Sequence, residues 1–203
     1  LNQQNKIAMV ILLVSLCSLF GVATLYYLAI IPSWLCIILA AFITSISHEL
    51  EHDLIHKQYF SNRPFIHNFM MLTVWLMRPN TVNPWYRRKI HLHHHKVSGT
   101  SQDLEERLVG NGIKSPFLRA LVITDGLLGL LVNTKRFSKE ISGYKFLRVF
   151  NAGFPVATAY FAILYGVIAY YAVQFVQPFT LPPWGAELLA GAEFLMVVLI
   201  VPN

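Results

Sequence analysis

Charge is what this sequence lacks most. Of its 203 residues, 13% are Asp, Glu, Lys or Arg, 55% are hydrophobic, and the mean hydropathy is +0.51. An ordinary soluble domain carries about 25% charged residues, so this composition excludes one and points to a membrane protein. Cysteine is scarce too. Cys17 and Cys36 both sit in uncharged apolar runs, which excludes a disulfide framework and predicts two buried thiols. No charged residue and no histidine lies between Lys6 and His48. That gap is long enough to cross a hydrocarbon core of roughly 30 Å twice, at about 20 helical residues per crossing. The first run is too long for a signal-peptide core and has no cleavage site, so it reads as a span. There is no internal repeat and no low-complexity tract.

The long apolar runs set out a membrane plan. Pro32, in "IIPSW", divides the first gap into spans predicted over about 7–29 and 33–50, joined by a tight turn. Two more are predicted over about 150–175 and 184–202, separated by the Pro-rich "VQPFTLPPW" with Trp184 as an interfacial anchor. All 16 Lys and Arg lie at the N-terminal tip or within 57–148, and neither short turn carries one. Positive residues collect on the cytoplasmic side, so both ends and the whole 48–148 region are expected there. The same placement accounts for the net charge of +6 without a nucleic-acid partner. The expected fold is therefore all-α: one integral membrane domain, four transmembrane helices in two hairpins, and a cytoplasmic helical region. Within that region the apolar segments 65–77 and 117–132 suit helices lying on the membrane face. Glu193 falls inside the fourth span, where an ionisable group is costly and tends to be paired or functional. The chain opens on Leu1 and stops at "LIVPN" directly after an apolar helix, so we expect a longer protein.

Seven of the eight histidines fall into two clusters, with His67 apart as an expected structural residue. The first, "HELEHDLIH", places His48, His52 and His56 four residues apart. On a helix they spread over only about 80° and share one face. The second, "HLHHH", puts His91, His94 and His95 on one face of a turn, with His93 pointing elsewhere. Imidazole suits zinc, iron, copper and nickel alike, so residue type does not choose the metal. Five or more histidines exceed what one tetrahedral ion uses, which favours two metal ions. Read alone, "HELEH" also spells H-E-x-x-H, a zinc-hydrolase motif with His48 and His52 on the metal and Glu49 as general base. That reading leaves the second cluster surplus. A non-enzymatic haem or metal carrier is the third reading.

The order H-x3-H, about 40 residues, then H-x-x-H-H on the same expected side resembles the membrane fatty acid desaturase and hydroxylase superfamily. The resemblance rests on "HELEH" (His48, His52), on "HLHHH" (His91, His94, His95) and on the Gly-then-acidic "GTSQDLEER" that follows. It implies a non-haem di-iron enzyme, with two iron ions held by His48, His52, His91, His94 and His95, and His56 a less certain ligand. It also implies O2-dependent desaturation or hydroxylation of a lipid or fatty acyl chain. Electrons would come from an external donor of ferredoxin, rubredoxin or cytochrome type. A third box, usually H-x-x-H-H, is expected beyond residue 203, and residues 1–203 alone are not expected to turn over. Glu49, Asp53, Asp103 and Glu106 are the carboxylates expected to accept from the ligands' second ring nitrogens. For Asp103, Glu105 and Glu106 a plainer reading stands beside it, an N-cap followed by acids in a first helical turn.

Overall fold

The computed structural model describes residues 3–110 and 112–203. Among them there is no strand, as the all-α expectation requires. In chain order the α-helices are α1 (Gln3–Tyr27), α2 (Ser33–Ile55), α3 (Pro64–Met77), α4 (Pro84–Val97) and α5 (Leu104–Leu108). After them come α6 (Pro116–Thr124), α7 (Gly126–Glu140), α8 (Phe146–Ala152), α9 (Val156–Val176) and α10 (Pro183–Leu195), which runs on as a π-helical turn over Met196–Ile200. Four are long and apolar enough to cross a membrane: α1, α2, α9 and α10 with its π turn. The contacts divide the chain into two compact units, one made of residues up to Asn80 with Pro155–Asn203, the other of Thr81–Phe154.

In the first unit the turn between α1 and α2 is as tight as Pro32 suggests. Ile30 N–H reaches back to the Leu25 carbonyl (2.9 Å) and Ala29 N–H to that of Tyr26 (2.9 Å), with Ala29 at φ 55°. This is a Schellman closure, made here by an alanine where glycine is usual. Pro32 then adopts an extended conformation and caps α2. The helix that carries the second predicted span runs past 50. Nothing between Ser47 and Ile55 breaks a helix, so α2 continues to Ile55. It ends on a second such closure, Gln58 N–H to Asp53 O (3.1 Å) and Lys57 N–H to Leu54 O (2.9 Å), with Lys57 at φ 57°. α9, the helix of the third predicted span, starts at Val156, because the turn at 153–155, ending in Pro155, separates it from α8. α3 is amphipathic in the sense expected of 65–77. Met70, Met71, Val74 and Met77 are buried, while Phe65, Phe69, Leu72 and Leu76 are exposed.

Polar groups tie the ends of these helices together. Glu51, wholly buried on α2, accepts from Arg78 Nη1 at 2.7 Å. Asn203 Nδ2 donates to the Met77 carbonyl (3.1 Å), and Asn80 Nδ2 donates to the Asn203 carbonyl (2.7 Å). The Tyr160 hydroxyl on α9 donates to the Ile200 carbonyl at 3.3 Å, within the π turn. Glu193 is paired inside the span region, where its carboxylate accepts from the Tyr171 hydroxyl on α9. Beside the ends of α3, α9 and α10 lies an apolar cavity of about 230 Å³, bordered by Leu76, Pro79, Tyr160, Ile163, Leu195 and Leu199.

The second unit is built on a small core of Leu130, Phe137, Ile141 and Val149, against which Val82, Tyr86 and Leu104 pack. The 117–132 segment is not one helix. Asp125 ends α6 and its side chain caps α7, accepting from Leu128 N–H at 2.9 Å. The two helices meet where a Cβ at Gly129 would lie 2.8 Å from Val122 Cγ1, a closer approach than packed atoms allow. Gly129→Ala is accordingly expected to destabilise this unit by about 1–3 kcal/mol. Val122→Ala, which clears the space, should recover part of the loss. Thermal unfolding of single and double variants reads both.

Candidate metal centre

The first histidine cluster is set by the last turns of α2. His48 and His52 are helical and one turn apart, both half-buried. His56 differs because the closure at Lys57 makes it the C-cap, outside the helix proper. Its ring still packs edge-on against His52, with centroids 4.7 Å apart. Of the neighbouring carboxylates, Asp53 accepts from the Tyr59 hydroxyl at 2.7 Å and lies 3.5 Å from His52 Nδ1, the outer limit of a hydrogen bond. The Asp53 carboxylate thus belongs first to Tyr59, and that hydrogen bond pushes the phenol above its usual range. Glu49 is exposed. His67 is buried and donates Nδ1–H to the Tyr59 carbonyl at 2.9 Å, the structural role expected of it.

The second cluster is better ordered by its surroundings. Asn83 caps α4 by accepting from Tyr86 N–H (2.8 Å), and Pro84 fills the first helical position, where a missing N–H costs nothing. One face of α4 then carries His91, His94 and His95. His91 Nε2 and His95 Nε2 lie 3.2 Å apart. The contact is a hydrogen bond, and its length also falls in the roughly 3.0–3.4 Å range that separates two nitrogens on one ion with bonds of about 2.0–2.1 Å. His93 is exposed, as is His95, and helical spacing puts it off the face shared by His91, His94 and His95.

Behind those rings stands α5. Asp103, fully buried, plays both parts that the sequence left open. Its Oδ1 accepts from Glu106 N–H (3.2 Å) as the N-cap, and its Oδ2 accepts from His94 Nδ1–H at 2.6 Å. That hydrogen bond raises the His94 imidazole above its ordinary value, against the opposing effect of burial. Glu106 accepts from the Ser98 hydroxyl (2.9 Å) and Gly99 N–H (3.3 Å), closing the loop, and stays within 4.8 Å of the His94–Asp103 pair. The neighbouring acid, Glu105, is the one that sequence reasoning missed. Its Oε2 lies 2.8 Å from His91 Nδ1. The signal was available: once Asp103 is an N-cap, Glu105 falls in the first turn of a helix that follows the histidines closely. Glu51 was also passed over, although its full burial makes it the most constrained acid of the first cluster.

In the second cluster, then, two imidazoles, His91 and His94, give Nδ1 to a carboxylate. This is the arrangement in which histidine commonly binds transition metals. The donor set fits iron without selecting it over zinc or copper.

No curated protein and no solved structure matches the chain. The family model described as "Fatty acid desaturase" matches residues 7–202, which takes in all four apolar helices and both histidine clusters. The chain belongs to the fatty acid desaturase family.

Proposed function

We propose that this protein is an O2-dependent membrane oxidoreductase that desaturates a fatty acyl chain, or hydroxylates it through the same C–H cleavage. Two non-haem irons would be held by His48, His52, His91, His94 and His95, with His56 as a further donor. When bound, the irons supply O2 activation and removal of hydrogen from an unactivated carbon. The protein's own residues hold the imidazoles in place. Asp103 keeps the proton of His94 on Nδ1, and the cap at Asn83 starts α4 so that three histidines share one face. The observation that carries the reading is the second cluster, a carboxylate-backed imidazole set with two Nε2 atoms 3.2 Å apart, in a chain of this family. The apolar cavity in the span-bearing unit suits an acyl chain. The concentration of Lys and Arg in 57–148 supports a cytoplasmic placement of both clusters and both ends. Electrons would then arrive from a ferredoxin-, rubredoxin- or cytochrome-type donor on that side. We further propose a third histidine box in the full protein after residue 203, since two boxes give fewer ligands than two irons use.

Two measurements test this. Iron per chain in the full-length protein should approach two, with acyl-chain turnover that stops when O2 is removed. One zinc, with hydrolysis that survives without O2, would overturn the proposal, and a haem Soret band would replace it with a carrier. Glu49→Gln separates the enzymes more sharply. A zinc hydrolase that uses Glu49 as general base should lose about 10²–10⁴-fold in turnover. An iron oxidoreductase in which Glu49 is an exposed helix residue should stay within about tenfold of the parent, the lower edge of an outer-ligand effect.

A further inference from the structure

The second histidine cluster is backed by two carboxylates from a single turn, Asp103 at His94 and Glu105 at His91. We propose that Glu105 is a positioning residue for His91, holding it as the Nδ1–H tautomer with Nε2 turned toward His95. This rests on the reading of the cluster as a metal site.

A carboxylate only accepts hydrogen bonds, so at 2.8 Å from Glu105 Oε2 the His91 Nδ1 carries the hydrogen and Nε2 presents its lone pair. That lone pair faces His95 Nε2, 3.2 Å away. His91 is also the most buried histidine of the cluster, at 9% exposure, so water has little access to reset its tautomer. The support is rigid. Glu105 is the second residue of α5, whose cap is Asp103 and whose Leu104 packs on the unit's core. Arg107, two residues on, pairs with Glu140 at 3.4 Å, and Gln102, just before the cap, exchanges hydrogen bonds with the end of α7. Asp103 and Glu105 therefore arrive as one unit, each assigned to a different imidazole. Asp103 also serves as a cap, so its removal would mix two effects. Glu105 caps nothing, and its substitution isolates the positioning role.

The test uses the full-length protein in nanodiscs, stripped of metal and titrated with Co2+ alone, with binding followed by its d–d absorption. Unfolding midpoints of the metal-free variants are measured alongside. His91→Ala should abolish one binding step. Glu105→Ala should weaken that step about 10–100-fold with an unchanged metal-free midpoint. Glu105→Gln keeps an acceptor for Nδ1–H and should recover most of the affinity, which a merely structural role would not predict. Parent-like binding by Glu105→Ala, with His91→Ala defective, would overturn the positioning role alone. So would an affinity loss that Gln leaves uncorrected. Parent-like binding by His91→Ala would overturn the metal reading itself, and the positioning role with it.

Discussion

His94→Ala in the full-length protein is expected to lose both bound iron and turnover, the latter by more than the roughly 100-fold upper range of an outer-partner substitution. Two effects combine. The imidazole proposed to hold metal is gone. The fully buried Asp103 Oδ2, which received His94 Nδ1–H at 2.6 Å, is also left facing an empty space. An abandoned buried acceptor costs about 1–3 kcal/mol, and more when charged, so thermal stability should fall as well. His93→Ala is the matched control, one residue away on the exposed side of the same helix. It should retain iron and turnover. Iron by elemental analysis and acyl-chain turnover, measured on both variants, decide the matter. If the two variants lose iron equally, the face of α4 named here is the wrong one.

Arg78→Ala is expected to destabilise the span-bearing unit by about 3–5 kcal/mol, because it takes a counter-charge from a wholly buried carboxylate. Glu51 has no exposed surface at all and accepts from Arg78 Nη1 at 2.7 Å. The pair joins the last turns of α2, between His48 and His52 in sequence, to the residue that follows α3. The double variant Glu51→Leu with Arg78→Met should be far less damaged than Arg78→Ala alone. Replacing both ions of a buried pair by apolar groups of similar size is often neutral or better. Unfolding midpoints in detergent compare the two. If the double variant is no more stable than the single one, the pair is not the source of the loss.

Much of the fold could be read from the residues, for reasons that are local. A span is announced by about 20 consecutive apolar residues, and Pro32 and the Pro-rich stretch at 178–183 mark turns whatever surrounds them. The helix limits were less legible. α2 runs to Ile55, where the closure at Lys57 ends it, and no local pattern predicts that its buried Glu51 pairs with Arg78, 27 residues away. α9 begins at Val156 and not near 150 because apolar residues on the near side of a turn look no different in sequence from those of the span.

The site divides in the same way. Helical spacing determines that His91, His94 and His95 share a face and that His93 does not, since residues three and four apart always neighbour one another. The chain's membership in a desaturase family was likewise present in its two histidine boxes. Only the tertiary structure decided which acids stand behind which rings. Sequence spacing proposed Glu49, Asp53, Asp103 and Glu106 without assigning them to rings. Folding turned Glu105 to His91, gave Asp103 both a helix to cap and His94 to hold, and bound Asp53 to Tyr59. The reason is physical. A ligand's helical register follows from 3.6 residues per turn, whereas a carboxylate's partner depends on the course of the loop at 98–102, and that course is held by Glu106, Gln102 and the end of α7.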